Sequence, residues 1–323
     1  MKSTEFFIAV ALSILFTVAL LYATLSIPTV IHQLLLRIFP DYWWPPLEIE
    51  EALKPLGYIM FTATLVLILA GFLTQRLKLS TLGSIVSYLP TFGYFASTMF
   101  FLAGIGVLRL LWLPLLDLSP PILRLGDIVY LPYFALALLL LPVAWIFHVP
   151  VMDLNILLSL IIMALGLAIF LIGMFTWLYG KFRGFQIIDF WVYRYSRHPQ
   201  YLGFLLWSYG LTLLASFFGA SKGGYIPPPS LPWLTMALII VGVALHEEMV
   251  MIKKHNNEYM KYRDKTPFML PVPKHFSNLI TAPVRKLLKK ERTENGKEIA
   301  SIIFLYGITL VLLSIPSILF FPI

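Results

Sequence analysis

The sequence predicts an all-α, polytopic membrane protein of about eight transmembrane helices. Three observations predict it. Hydrophobic residues make up 59% of the chain and charged residues only 12%, with a mean hydropathy of +0.84. A water-soluble domain of 323 residues needs far more charge on its surface. About 20 mostly apolar residues cross a bilayer core, and the chain repeatedly offers segments of that length or close to it. Ionisable residues are almost absent from the middle of these segments and gather at their ends, where they are far less costly.

In chain order the first span is Phe6–Ile27. Lys2 precedes it, but the run is too long for a signal-peptide core and no small-x-small cleavage site follows, so it reads as a retained helix. Phe39-Pro40-Asp41-Tyr42-Trp43-Trp44-Pro45-Pro46 reads as a helix break with an interfacial aromatic belt, Trp43 and Trp44 facing lipid. Leu56–Leu73 and Ile85–Leu108 follow, the latter kinked at Pro90. Next come Ile128–Val149 and Leu154–Tyr179, with Asp153 and Asn155 as cap and interface residues. Tyr201–Ala220 and Leu231–Leu245 form a hairpin through the Gly- and Pro-rich turn Gly219–Pro232. The seventh span is short and either continues through His246 or tilts little. After Pro273 a basic stretch holds Arg285, Lys286, Lys289, Lys290, Arg292 and Lys297, before the last span, Ile299–Phe321. Such a run is attracted to anionic lipid headgroups at about 1 kcal/mol per residue near the surface. A membrane, not a nucleic acid, is its expected partner.

The loops after the odd-numbered spans hold every Lys and Arg except Lys2, Arg76, Lys78 and Lys222. By the positive-inside tendency those loops are cytoplasmic and both termini lie outside. The chain has no cysteine, which excludes disulfides, thiolate metal sites and a cysteine nucleophile. No metal site is expected. The chain divides into an N-terminal four-helix region (1–152), a core that carries the polar clusters (153–273), and a basic segment with the last helix (274–323).

Two polar clusters sit at span ends on the cytoplasmic side. The first is Arg197-His198-Pro199-Gln200-Tyr201-Leu202-Gly203. Pro199 suits the first turn of a helix because its missing N–H is not needed there, and Ser196 or His198 can cap that helix. His198 and Tyr201 are three apart and share a face. Gly203 leaves room for a ligand or another helix. A helix N-terminus with these groups favours a carboxylate; interfacial snorkelling by Arg197 beside a belt tyrosine gives the same residue types. The second cluster is His246-Glu247-Glu248, where the seventh span ends at the membrane surface. Counting on from Glu248 by four and three gives Ile252, His255, Tyr259 and Tyr262, one stripe of a surface helix, with Lys253, Lys254, Lys261 and Arg263 largely on other faces.

Arg197-His198-Pro199-x-Tyr201-x-Gly203, then Glu247-Glu248, then Glu258-Tyr259-x-x-Tyr262 and Pro267, with Tyr193 ahead of the first motif, resembles the isoprenylcysteine carboxyl methyltransferase and phospholipid N-methyltransferase superfamily. The likeness runs from about the fifth span to Pro273, under half of the chain. It implies an enzyme with a C-terminal methyltransferase core. S-adenosylmethionine would sit in a pocket between the clusters, open to the cytoplasm, and a lipophilic or lipidated acceptor would enter from the bilayer. By that resemblance Tyr193, His198, Tyr201 and Gly203 line the cofactor site, and Glu247 or Glu248 contacts its positive end. Arg197 orients an anionic group of the acceptor and Glu248 is catalytic, with His246, Tyr259 and Tyr262 in support. A carboxylate acceptor is already a nucleophile and needs only alignment; an amine must lose a proton, which Glu248 can accept.

The chain departs from the family pattern in three places. Val243-Ala244-Leu245-His246 stands where prenylcysteine enzymes often carry an Arg. Asn256-Asn257 replaces a Gly before the Glu-Tyr pair, and Asn tolerates left-handed backbone. A Gly common ahead of the first motif's Tyr is replaced near Trp191-Val192. These bear on the acceptor more than on the cofactor. The related sterol and steroid reductases, which use NADPH, share the Arg-His-Pro-x-Tyr-x-Gly pattern; they usually carry Asn where Gln200 stands and an acid where Phe204 stands, and lack the Glu pair. A transporter or lipid-binding scaffold would instead show charges at mid-membrane or paired broken helices.

Overall fold

The computed structural model describes residues 2–27, 47–74, 113–217, 230–289 and 293–320, with a few isolated positions between them. Among these residues it is helical throughout, with no strand. The α-helices are α1 (Lys2–Leu21), α2 (Leu47–Leu73), α3 (Leu113–Leu118), α4 (Leu131–Phe147), α5 (Val151–Phe182), α6 (Pro199–Ala215), α7 (Ser230–Lys265), α8 (Lys274–Leu288) and α9 (Gly296–Phe320). A π-helical turn, Tyr22–Ser26, extends α1, and 3-10 turns cover Pro120–Arg124, Asp127–Tyr130 and Trp191–Arg194.

Among the described residues six helical stretches are long and apolar enough to cross a membrane, as a multi-pass membrane protein requires. They fall on the predicted first, second, fourth, fifth, seventh and eighth spans. The predicted sixth span is α6, which at 17 residues is shorter. The predicted third span, the Phe39–Pro46 belt and most of the Gly219–Pro232 turn lie outside the described residues. Helices such as α4 expose large apolar side chains, Leu139 and Trp145 among them. An apolar surface of that extent needs lipid or protein around it. α4 stops where His148 turns left-handed (φ 50) ahead of Pro150, which does not continue a helix well.

The chain forms two compact units. The first comprises Met1–Leu21, Ile162–Ser208 and Ile240–Ile302. Within it α5 and α6 meet backbone to backbone. A Cβ added to Gly203 would stand 2.5 Å from the Phe170 nitrogen and 2.7 Å from the Gly166 oxygen, and one added to Gly166 would strike the Trp207 nitrogen. Two turns further along α5, a Cβ on Gly173 would meet Gln200 at 3.2 Å. Small residues at such crossings replace the hydrophobic drive that lipid cannot supply between helices. Of the two approaches that Gly203 allows, it is the helix that makes the contact.

The second unit comprises Tyr22–Ile161, Tyr209–Ile239 and Ile303–Ile323. Its polar centre is Asp127, a buried carboxylate just ahead of α4. Arg124 Nε lies 3.0 Å from Oδ2. Ser230 donates to Oδ1 at 2.7 Å and Ser317 to Oδ2 at 3.0 Å. The Ile128 N–H donates to Ser314 at 3.1 Å, and Tyr209 donates to the Val129 carbonyl at 2.8 Å. The Asp127–Ser230 bond thus joins the residues just ahead of α4 to the first residue of α7.

α7 also differs from its expected form. The predicted span and surface helix are one element of 36 residues, interrupted at Asn256 (φ 38, ψ −115). The apolar run stops at Leu245, but Glu, Met and Lys continue as good helix formers. The break falls at the Asn pair that replaces a glycine of the superfamily the sequence resembles, and its backbone angles suit glycine better than any residue with a side chain.

Candidate active site

The site lies within the first unit, where the α6 N-terminus meets the polar part of α7. The approach to α6 is held by backbone bonds. The Ser196 hydroxyl accepts the His198 N–H at 3.2 Å, the His198 carbonyl accepts the Leu202 N–H at 3.0 Å, and the Pro267 carbonyl accepts the Arg197 N–H at 3.1 Å. Arg197 and His198 are therefore fixed on both sides before their side chains engage anything.

Glu247 and Glu248 are neighbours on a helix, so their side chains point about 100° apart. One is buried and the other is not: the Glu248 side chain is 7% exposed and that of Glu247 47%. Glu248 Oε1 takes two basic groups, Arg197 Nε at 2.8 Å and His198 Nε2 at 3.3 Å. Glu247 Oε1 accepts the Tyr201 hydroxyl at 2.6 Å, and its Oε2 lies 3.8 Å from His198 Nδ1. His198 thus stands between two carboxylates with one ring nitrogen toward each. A neutral imidazole can donate to only one of them.

Aromatic rings close the site. His198 stacks on Tyr201 at 5.7 Å and meets Phe268 edge-on at 5.2 Å, and the Arg197 guanidinium lies 5.7 Å from the Phe268 ring centre. Arg197 Nη1 also donates to the Arg263 carbonyl at 3.2 Å. Its Nε–H is buried and, despite the short ion pair, not aligned on any acceptor among the described residues. Burial lowers the Arg197 pKa below its ordinary value while the Glu248 charge acts the other way; an arginine so placed remains a cation. Tyr193, buried beneath the cluster, has its pKa pushed up, first by burial and then by the charge of Glu247.

The predicted stripe on α7 holds its phase across the Asn256 break. Glu248, Tyr259 and Tyr262 are buried, Ile252 and His255 are half-buried, and Lys253, Lys254 and Lys261 are exposed. Tyr262 donates to the Tyr193 carbonyl at 2.8 Å and packs edge-on against Tyr259 at 5.8 Å. Arg197, His198, Tyr201, Glu247 and Glu248 therefore form one connected cluster, with Tyr193, Tyr259 and Tyr262 as its support. Gly203 faces α5. His246 is buried on α7 and makes no hydrogen bond or ion pair among the described residues.

Phe268 packs on the cluster but carried no signal as a site residue, since it follows Pro267 in what reads as a loop. Trp191, near the position where the superfamily that the sequence resembles commonly has Gly, adopts φ 50, a strained conformation for an aromatic residue. It is stacked on Phe175 at 5.4 Å and Tyr179 at 5.2 Å. Among the described residues no group of three or more His, Asp or Glu side chains is placed to hold a metal.

No curated protein and no solved structure matches the chain. One family pattern does, described as a protein of unknown function (DUF1295); it matches residues 136–266, the stretch that holds every ionisable residue of the cluster.

Proposed function

We propose that the protein is an S-adenosylmethionine-dependent methyltransferase acting on a lipid or lipidated acceptor within the membrane. One observation carries this reading: clusters far apart in sequence, Arg197-His198-Tyr201 and Glu247-Glu248, converge into one hydrogen-bonded group at a helix N-terminus.

The donor set suits the cofactor's chemistry. A half-exposed carboxylate, Glu247, is oriented by Tyr201 and suits a cation. The buried Arg197 guanidinium suits a carboxylate once its pair with Glu248 opens. Receptors of both signs within one cluster match a zwitterionic, sulfonium-bearing molecule. When bound, S-adenosylmethionine supplies an electrophilic methyl group.

The chain's own residues do the rest. Glu247 holds positive charge near the helix end without burying it, so that the charge can be lost in the transition state. Glu248 already faces Arg197 and His198, and its charge is committed to fixing both. Arg197 reaches an acceptor carboxylate only by opening that pair. Closed, it is a positioning residue for Glu248. Phe268 and Tyr201 keep water from the His198 ring. For an amine acceptor, Glu247 is the more accessible proton acceptor.

The test is binding by the purified protein in detergent, S-adenosylmethionine against NADPH, with Glu247→Gln as control. Saturable S-adenosylmethionine binding that the variant weakens is the expected result. Binding of NADPH alone would move the protein to the membrane reductases, and binding of neither would leave a scaffold.

A further inference from the structure

Between the site and the last membrane helix lies α8, Lys274–Leu288. Phe276, Leu279 and Ile280, spaced three and four apart, share one face. That face is not covered: the three side chains are 57%, 68% and 53% exposed. Asn278 and Arg285, seven apart, lie on the opposite side, where Arg285 Nη2 donates to the Asn278 carbonyl at 2.8 Å. From Thr266 to Lys290 the sequence has no Asp or Glu, yet it holds Lys274, Arg285, Lys286, Lys289 and Lys290. At 15 residues α8 is about 22 Å long, too short to cross a bilayer core of about 30 Å. It is also tied close to a membrane helix. Lys289 ends it in the left-handed conformation, and α9 opens at Gly296, within about 25 Å of extended chain.

We propose that α8 lies in the plane of the membrane interface. Phe276, Leu279 and Ile280 enter the boundary between headgroups and acyl chains, and Arg285, Lys286 and Lys289 hold anionic headgroups. An apolar face, a purely basic set of charges and a short tether to a membrane-crossing helix together specify an anionic bilayer surface as the occupant. This holds whether or not the site transfers methyl groups.

The chain's lack of cysteine makes the test direct. Single variants Leu279→Cys and Asn278→Cys of the full-length protein are labelled with an environment-sensitive fluorophore and reconstituted into vesicles, either purely zwitterionic or with anionic phospholipid added. The label at 279 is expected to be blue-shifted and quenched several-fold less by an aqueous quencher than the label at 278. The contrast should widen with anionic lipid and shrink when Arg285 and Lys286 are changed to Glu. Equal quenching at both positions in anionic vesicles would overturn the proposal. So would shielding at 279 that ignores the anionic fraction. Shielding in detergent that grows with protein concentration would overturn it too, placing a second copy of the chain on this face.

Discussion

Each compact unit holds a buried carboxylate facing an arginine, and the two are built differently. Asp127 is saturated: Oδ1 accepts Ser230, and Oδ2 takes Arg124 and Ser317. Its three partners come from three separate parts of the chain, so the carboxylate gathers elements. Glu248 receives Arg197 and His198 on the single oxygen Oε1, beside a second acid that remains half-exposed and an arginine N–H without an aligned acceptor. Low dielectric makes an unaligned buried donor costly. This cluster keeps one beside a half-exposed carboxylate that Tyr201 orients, which is the arrangement our proposed ligand site rests on. The saturated acid ties three parts of the chain together, and the second pair belongs to the candidate site.

Substitutions separate the two roles, and the largest effect is expected at Glu248. Glu248→Ala strands the buried Arg197 and should cost about 3–5 kcal/mol, lowering Tm in detergent and abolishing S-adenosylmethionine binding; binding retained at full affinity would remove Glu248 from the site. Asp127→Ala should destabilise by a comparable amount, about 3 kcal/mol, by removing the acceptor shared by Arg124, Ser230 and Ser317, but with cofactor affinity unchanged. A loss of affinity beyond that explained by the unfolded fraction would collapse the distinction between the units. Gly203→Val places a side chain against the α5 backbone and should cost about 1–3 kcal/mol, read as a fall in Tm. Glu247→Gln should weaken S-adenosylmethionine binding about tenfold, or 1.4 kcal/mol, with Tm unmoved; a Tm shift without an affinity change would make Glu247 structural. Smallest of all, Asn256→Gly should change Tm little, while Asn256→Val should cost about 1–3 kcal/mol through its positive φ.

Much of this site is legible in residue spacing. The three-residue step from His198 to Tyr201 and the stripe from Glu248 to Tyr262 follow from helical geometry alone. Spacing cannot say which of two adjacent glutamates is buried, because that depends on where the α6 N-terminus lies. Nor can it identify the neighbour of Gly203, since a missing side chain invites any close partner. Asp127 stands just ahead of an apolar run, and its role depends on Ser230 and Ser317, more than a hundred residues away in the chain. The sequence shows a glycine of the superfamily pattern replaced near Trp191-Val192, but the stacking of Trp191 on Phe175 and Tyr179 is a tertiary fact.

The different exposures of the neighbouring glutamates have a consequence for ionic strength. Mobile ions screen exposed charges over about 8 Å at physiological salt and hardly reach buried ones. Glu247 stands where those ions can gather, whereas the Glu248–Arg197 pair does not. Added salt should therefore weaken the attraction of a cationic ligand to Glu247 while leaving the internal pair intact. Two adjacent residues of the same type would then answer differently to the same solution, one tuning occupancy and the other holding shape.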